Sequence, residues 1–290
     1  MTNVTVAALQ TALTDDVDRN VARITELVRE AAGRGARIIL PSELFEGHYF
    51  CRTQREDDFA RARPLTGHPT IAHFQKLAAE LDVVIPVSFF EQDGPCYYNS
   101  IATIDASGHV LGVYRKSHIP DGPGYQEKFF FRPGDTGFHA YRTRHGTIGV
   151  AICWDQWFPE AARLMAMAGA ELLIYPTAIG TWAGEMELRT IQHQAWQTLQ
   201  RSHAIANGLH VLAINRVGVE DELTFWGGSF VATPDGQLLA EAGDTEQTVT
   251  ATIDFEKTER MREGWPFFRD RRIDAYEDLL RRWRDGTDRD

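Results

Sequence analysis

Cysteine is scarce in this chain, with three residues at 51, 96 and 153, and none belongs to a C-x-x-C pair. A disulfide framework and a zinc site built on cysteine pairs are both excluded by that spacing, which leaves a thiol free for chemistry. No H-E-x-x-H pattern appears among the ten histidines, so a metalloenzyme has no anchor. His118, His193 and His203 are read instead as hydrogen-bonded structural residues. No apolar run approaches the roughly 20 residues of a membrane span. The start Met1-Thr2-Asn3-Val4-Thr5-Val6 lacks the charged segment, apolar stretch and cleavage site of a secretory signal. The expectation is a cytoplasmic protein with no membrane partner. Positive charge is also short: the formal net charge of -11 would repel a phosphate backbone, which argues against nucleic acid as a partner.

What is present suits a layered protein of ordinary composition, 43% hydrophobic and 24% charged. Val4 to Leu9 reads as a strand. Val17, Val21, Ile24 and Val28 follow at near-helical spacing until Gly33 and Gly35. Ala36 to Leu40 is the next apolar run, and Pro69 opens a helical pattern through Leu81. Val83 to Phe90 reads as a buried strand, and Ser100 to Ile104 and Val110 to Tyr114 flank a turn at Asp105-Ala106-Ser107-Gly108. Further strands are expected at Thr147 to Ile152, Leu172 to Tyr175 and Val211 to Ile214. Helices fall at roughly 159–168 and 187–207, and a second hairpin turns at Pro234-Asp235-Gly236. Residues 1–265 hold no repeat, linker or low-complexity segment, so a single α/β domain spanning 1–290 is expected, with helices outside and sheet inside.

Three residues with useful chemistry each follow such a strand. Cys153 comes directly after Ile148-Gly149-Val150-Ala151-Ile152, and Pro159 sits where a helix would begin. A strand-to-helix turn lifts a nucleophile above the sheet edge and brings backbone N–H groups near it, which favours both thiolate and oxyanion. Glu43 follows the strand ending at Leu40, and Lys116 follows the one ending near Tyr114 or Arg115. Functional groups collect at the carboxyl ends of strands in open α/β sheets, so the three can converge across roughly 40–70 residues of sequence. Taken singly, a structural cysteine, a loop-capping glutamate and a solvated lysine are the blander readings.

The local sequences decide between these readings. Glu43 lies in L-P-S-E-L-F-E-G, Lys116 in Y-R-K-S-H-I-P and Cys153 in I-C-W-D-Q-W-F-P-E. Together, and in this order from about residue 4 to 280, these segments resemble the nitrilase superfamily of carbon–nitrogen hydrolases. That resemblance implies a four-layer α-β-β-α sandwich and pairing through the α layers into a homo-oligomer, a dimer or higher. It also implies a C–N hydrolase that uses no metal and no organic cofactor. Glu43 would serve as general base, Cys153 as nucleophile, and Lys116 with a backbone N–H, that of Trp154, as oxyanion stabiliser. Glu127 matches a second glutamate often placed beside this set and would orient Lys116 or the substrate. The tail from about 265 to 290, opening Trp265-Pro266-Phe267-Phe268-Arg269-Asp270-Arg271-Arg272, is similar to tails laid across a partner subunit in relatives.

The segments Tyr114 to Asp135, C-W-D-Q-W-F-P-E-A-A-R and Y-P-T-A-I-G resemble a branch of the superfamily that acts on carbamoylated diamines. The expected partner is therefore a small-molecule carbamoyl amine or amide carrying a distal positive charge. Amidases of the ureidopropionate, ω-amide and carbamoyl-amino-acid types are the alternatives on this fold. A catalytically inactive binding scaffold is the alternative of another class, and it would be expected to have lost one of the three residues. Where the branch continues T-A-I-G with Ser-Glu-Pro, this chain has Thr181-Trp182-Ala183-Gly184-Glu185-Met186-Glu187, so Trp182 takes the place of a glutamate. An indole face can meet a cation, but a full countercharge must come from a carboxylate, for which Asp121, Glu185 and Glu187 are the candidates.

Overall fold

The computed structural model of the chain describes residues 3–283. The last residues of the expected interface tail, 284–290, lie outside the described residues. In chain order the first half contains β1 (Asn3–Gln10), α1 (Val17–Gly33), β2 (Ala36–Leu40), α2 (Pro69–Leu81), β3 (Ile85–Asp93), β4 (Cys96–Ile104), β5 (Val110–Arg115) and the one-turn α3 (Glu127–Phe130). The second half contains β6 (Ala140–Thr143), β7 (Gly146–Val150), α4 (Pro159–Met167), β8 (Leu172–Pro176), β9 (Gly180–Trp182), α5 (Arg189–Asn207), β10 (His210–Ile214), β11 (Val217–Glu220), β12 (Leu223–Trp226), β13 (Phe230–Ala232), β14 (Leu238–Glu241), β15 (Gln247–Asp254) and α6 (Phe255–Gly264).

Two large sheets form from these strands. One runs β15-β1-β2 and continues through the parallel bridge Ile38–Val84 into β3-β4-β5; the other runs β14-β13-β10-β8-β7-β6. Period-two alternation assigns the faces. On β1, Ala7 and Leu9 point outward to Ile24, Leu27 and Val28 of α1 and to Ile71, Phe74 and Leu77 of α2. Val4, Val6 and Ala8 of the same strand point inward and share one core with Val150, Ile174 and Leu212 of the second sheet. Helices α4 and α5 cover the far side of that sheet through Met165, Ala166, Trp196 and Ala204. The result is the expected α-β-β-α sandwich. Each fully buried Leu, Ile or Phe at these faces contributes roughly 1.5–3 kcal/mol of apolar burial.

Local chemistry sets the ends of the elements. Asp16 caps α1 by accepting the Arg19 N–H at 3.0 Å, and Pro opens both α2 and α4. The strand expected to reach Ile152 leaves the ladder at Val150, and the Ile152 N–H donates to the Asp155 carboxylate at 3.0 Å. The helix expected from 187 begins at Arg189, because Glu185 has non-helical dihedrals and residues 183–188 form a separate tight turn. A hairpin absent from the sequence expectations joins β3 and β4 through Gly94, whose φ is +57°. Among the described residues no helix is long and apolar enough to cross a membrane.

Candidate active site

Glu43, Lys116 and Cys153 all lie just past the carboxyl ends of strands, β2, β5 and β7 respectively. The two sheets stack so that these ends meet. Lys116 is fully buried, and its Nζ donates to Glu43 Oε1 at 2.9 Å and to both Glu127 oxygens at 2.8 and 2.7 Å. Glu43 Oε1 also accepts from Asn99 Nδ2 at 2.6 Å, and its Oε2 accepts the Ala178 N–H at 2.9 Å. Glu127, at the start of α3, accepts a further hydrogen bond from the Tyr49 hydroxyl. Uncompensated charges would cost several kcal/mol each in such a place, so the triad stands on mutual pairing and on these extra donors.

The loop carrying Lys116 is clamped from both sides. Its N–H donates to the Asn99 carbonyl at 2.8 Å, and its carbonyl accepts the Gly134 N–H at 2.8 Å. Only glycine fits at 134, since a Cβ there would stand 2.0 Å from the Arg115 carbonyl oxygen.

Cys153 opens a tight helical turn, Cys153–Trp157, at φ +42°, a left-handed value that is strained for a residue with a side chain. Within this turn the first amide used is that of Asp155, which donates to the Ile152 carbonyl at 3.0 Å. The N–H groups of Cys153 and Trp154 have no acceptor within the turn itself, as at any helix start. Asp155 stabilises the strained elbow and joins it to the Lys116 loop. Its buried carboxylate accepts from the Ile152 N–H, the Tyr114 hydroxyl at 2.7 Å and the His118 N–H at 2.9 Å, and lies 2.7 Å from His118 Nδ1. His118 stacks flat on Phe158 with ring centres 3.6 Å apart, so it has the structural role expected of it.

Electrostatics correct one expectation. A helix start close to Cys153 would favour a resting thiolate, but helix α4 begins only at Pro159. Burial, and after it the charge of Glu43, push the Cys153 thiol well above its ordinary pKa, and Lys116 opposes this without overcoming it. This balance favours the neutral thiol at Cys153, so forming a thiolate there calls for a base beside it. Burial pulls Lys116 down, yet Glu127 and Glu43 together outweigh it and hold the ammonium well above its usual range. Glu127 is itself pushed up to about 7, mainly by burial, with Lys116 acting against the shift.

Cys153 lines a cavity of about 530 Å³ together with Tyr125, Trp154, Trp157, Trp182 and Trp226. Asp121 and Glu185 also line it, and among the described lining residues none is Lys or Arg. Trp182 is held in place by the 121–125 loop: at Gly124 a Cβ would come within 2.6 Å of the indole. Of the carboxylates expected here, Glu187 is the exception. It lies on the exposed turn after Trp182 but outside the cavity lining, which the chain rejoins at Ile191, Gln192 and Ala195.

Tyr49, Asn99, Asp155 and Ala178 complete the site without having been expected in it. Asn99 leaves a faint signal in the sequence, as an amide side chain within the otherwise apolar and hydroxylated strand Cys96–Ile104. Asp155 lies within the C-W-D-Q segment beside the nucleophile. Ala178 lies within the quoted Y-P-T-A-I-G segment, although it acts through its backbone N–H, and Tyr49 leaves no signal, since its phenol reaches Glu127 from a turn 78 positions away.

Comparison with known proteins supplies the last observation. Residues 5–263 match the Carbon-nitrogen hydrolase family. An N-carbamoylputrescine amidase of Solanum tuberosum is 56% identical over 96% of this chain and 95% of its own length. A citrullinase of Francisella tularensis subsp. tularensis is 44% identical over 98% of this chain and 100% of its own. The crystal structure of a carbon-nitrogen hydrolase from Helicobacter pylori G27 superposes with a TM-score of 0.94 at 42% identity, covering 97% of this chain and 100% of that one.

Proposed function

Because the chain belongs to the carbon-nitrogen hydrolase family, we propose that it hydrolyses the ureido C–N bond of N-carbamoylputrescine, giving putrescine, carbon dioxide and ammonia. The observation that carries the substrate assignment is the cavity above Cys153, which combines indole faces with Asp121 and Glu185 and has no lining Lys or Arg among the described residues. Such a lining suits an aliphatic chain ending in an ammonium, for which aromatic faces and carboxylates are the matching partners.

In this reading Glu43 removes the proton from Cys153 as sulfur attacks the ureido carbon. A base is needed because burial keeps the thiol neutral. Lys116 and the Trp154 N–H stabilise the oxygen as it gains charge. Glu43 then passes its proton to the departing nitrogen, ammonia leaves, and a carbamoyl thioester remains on Cys153. Glu43 next deprotonates water, which attacks the thioester. The thiolate takes the proton back as it leaves, and the carbamic acid released breaks down to carbon dioxide and the amine. Glu127 keeps Lys116 charged and aimed through its two short hydrogen bonds.

The 44% identity to a citrullinase makes citrulline the comparator of most interest. Its α-carboxylate would face Asp121 and Glu185 without a lining cation, which favours the simple diamine derivative. Ammonia release from N-carbamoylputrescine, citrulline, N-carbamoyl-β-alanine and an ω-amide tests the proposal. N-carbamoylputrescine should have the highest kcat/KM, and a clear preference for any of the others overturns the substrate while leaving the Glu-Lys-Cys chemistry to stand.

Assembly and location belong to the same proposal. The tail exposes Trp265, Phe267, Ile273, Leu279, Leu280 and Trp283, an apolar set that supports burial against a second copy of the chain. Truncation after Gly264 should then lower the oligomer mass, and an unchanged mass with full activity ends the idea. Three unpaired cysteines support a reducing, cytoplasmic setting.

A further inference from the structure

Glu43 is presented by a segment with little regular structure. Between the end of β2 at Leu40 and Tyr49 the chain makes only turns, and Leu44, next to Glu43, sits at φ +46°. A left-handed backbone is strained for a leucine, so the surroundings must impose this path.

They do so through one buried ion pair between Arg216, just before β11, and Glu220 at the end of β11. Arg216 is fully buried, and its Nη2 donates to the carbonyls of Glu43 and, at 3.2 Å, Leu44. Its Nη1 donates to the Gly47 carbonyl at 3.3 Å and to Glu220 Oε1 at 2.9 Å. The other oxygen of Glu220 accepts the Tyr49 N–H at 2.6 Å and Arg52 Nη1 at 2.7 Å. Four backbone groups between 43 and 49 are thus gripped by two side chains. The segment carries Glu43 at one end and, at the other, Tyr49, whose hydroxyl donates to Glu127.

We propose that Arg216 and Glu220 are positioning residues for the hydrolysis. The pair sets the distance from Glu43 to Lys116 directly through the backbone of residue 43, and that of Glu127 indirectly through Tyr49. Neither side chain touches the reacting groups. A buried ion pair is weak evidence of a stabilising role, since an apolar pair of similar volume often serves stability as well. Here the geometry has a different logic, because five of the hydrogen bonds end on the catalytic loop or on Arg52 just beyond it. Misplacing a catalytic group by about 1 Å costs on the order of 10²-fold in rate.

The inference rests on the amidase reading for its kinetic test, while alkylation of Cys153 by iodoacetamide judges it without any substrate, because that reaction also needs Glu43 to take the thiol proton. In Glu220→Ala, kcat should fall about 10²-fold with KM within about threefold of wild type, and site-resolved labelling of Cys153 should slow at least about tenfold. Glu220→Gln keeps an acceptor for the Tyr49 N–H and should recover at least about tenfold of the lost kcat. Folded protein is quantified by circular dichroism at the assay temperature. Unchanged kcat and labelling in folded Glu220→Ala, or losses that track the unfolded fraction and are not eased by glutamine, overturn the proposal. If Glu220→Ala does not fold, Glu220→Gln alone decides: a roughly three- to tenfold fall in kcat at constant KM supports the clasp, and wild-type kcat sinks it. Should the wild type turn over no amide or ureide, the proposed reaction fails and the labelling rates still decide on the clasp.

Discussion

The charged cluster beside Cys153, the floor of the site, consists of Glu43, Lys116 and Glu127, which lie outside the cavity lining, wholly buried and tied through Lys116 to one another and further to Asn99, to Tyr49 and to the backbone of Ala178. At the mouth of the cavity, Asp121 and Glu185 are exposed, and residues 183–188 form a kinked turn with no buried side chain. The floor therefore resists change because each member leaves an unpaired charge behind if another is removed. The mouth tolerates change because water replaces whatever a substitution takes away. This difference explains how a family can share one reaction while its members accept different tails: the chemistry is locked in a charged, dry cluster, and selectivity rests on side chains that cost little to exchange.

Substitutions at the floor should have the larger effects. Cys153→Ala removes the nucleophile and should lower kcat by about 10⁴-fold or more with the thermal midpoint nearly unchanged, as followed by ammonia release and calorimetry. Substantial turnover in that variant would sink the covalent mechanism. Asp155→Ala should come next. It frees the Ile152 and His118 amides and the Tyr114 hydroxyl together, so kcat should drop about 10²-fold and stability by roughly 3 kcal/mol, read from urea unfolding. A variant as stable as wild type would show that the elbow holds without this carboxylate.

A pH series separates the floor's charge from its geometry. With its carboxyl pushed up to about 7 from an ordinary 4.5, Glu127 binds a proton more tightly folded than unfolded. Its contribution to stability is therefore fully present below about 4.5 and is lost as the pH rises to about 7. Glu127→Gln should flatten the fall in unfolding free energy across that window, measured by urea midpoints at several pH values. An identical slope in both proteins would mean that Glu127 does not titrate there.

The mouth should respond more mildly, and selectively. Glu185→Gln should raise KM for N-carbamoylputrescine about five- to tenfold, the scale of one partly solvated charge contact, and leave an uncharged carbamoyl alkylamine of equal length unaffected. Equal effects on both compounds would remove Glu185 from ammonium recognition. Glu187→Gln, two residues on but outside the cavity lining, should stay within about twofold for either substrate. A larger shift there would blur the boundary drawn between lining and bystander.

Much of this molecule is legible in its sequence. Strand and helix periodicity places the layers, and the residues just after Leu40, Arg115 and Ile152 read as strand-end positions where functional groups gather. Short local segments around them carry the family. Those features depend on neighbours in sequence, and propensity, turn chemistry and motif spacing all act at that range. What only the tertiary structure decided acts between distant segments. Glu43 and Lys116, 73 positions apart, meet at 2.9 Å because β2 and β5 run parallel in one sheet and end on the same edge, and stacking of the second sheet brings Cys153 to that edge. The thiol is neutral because burial outweighs Lys116, and burial is a property of the packed core. Trp182 and Glu185 reach the cavity while Glu187 does not, although all three share one short segment, because the path of the folded turn decides which side chains face inward. Arg216 and Glu220 grip the Glu43 loop from about 170 positions away, a relation with no local trace, since hydrogen bonds to backbone groups are indifferent to the side chains they serve.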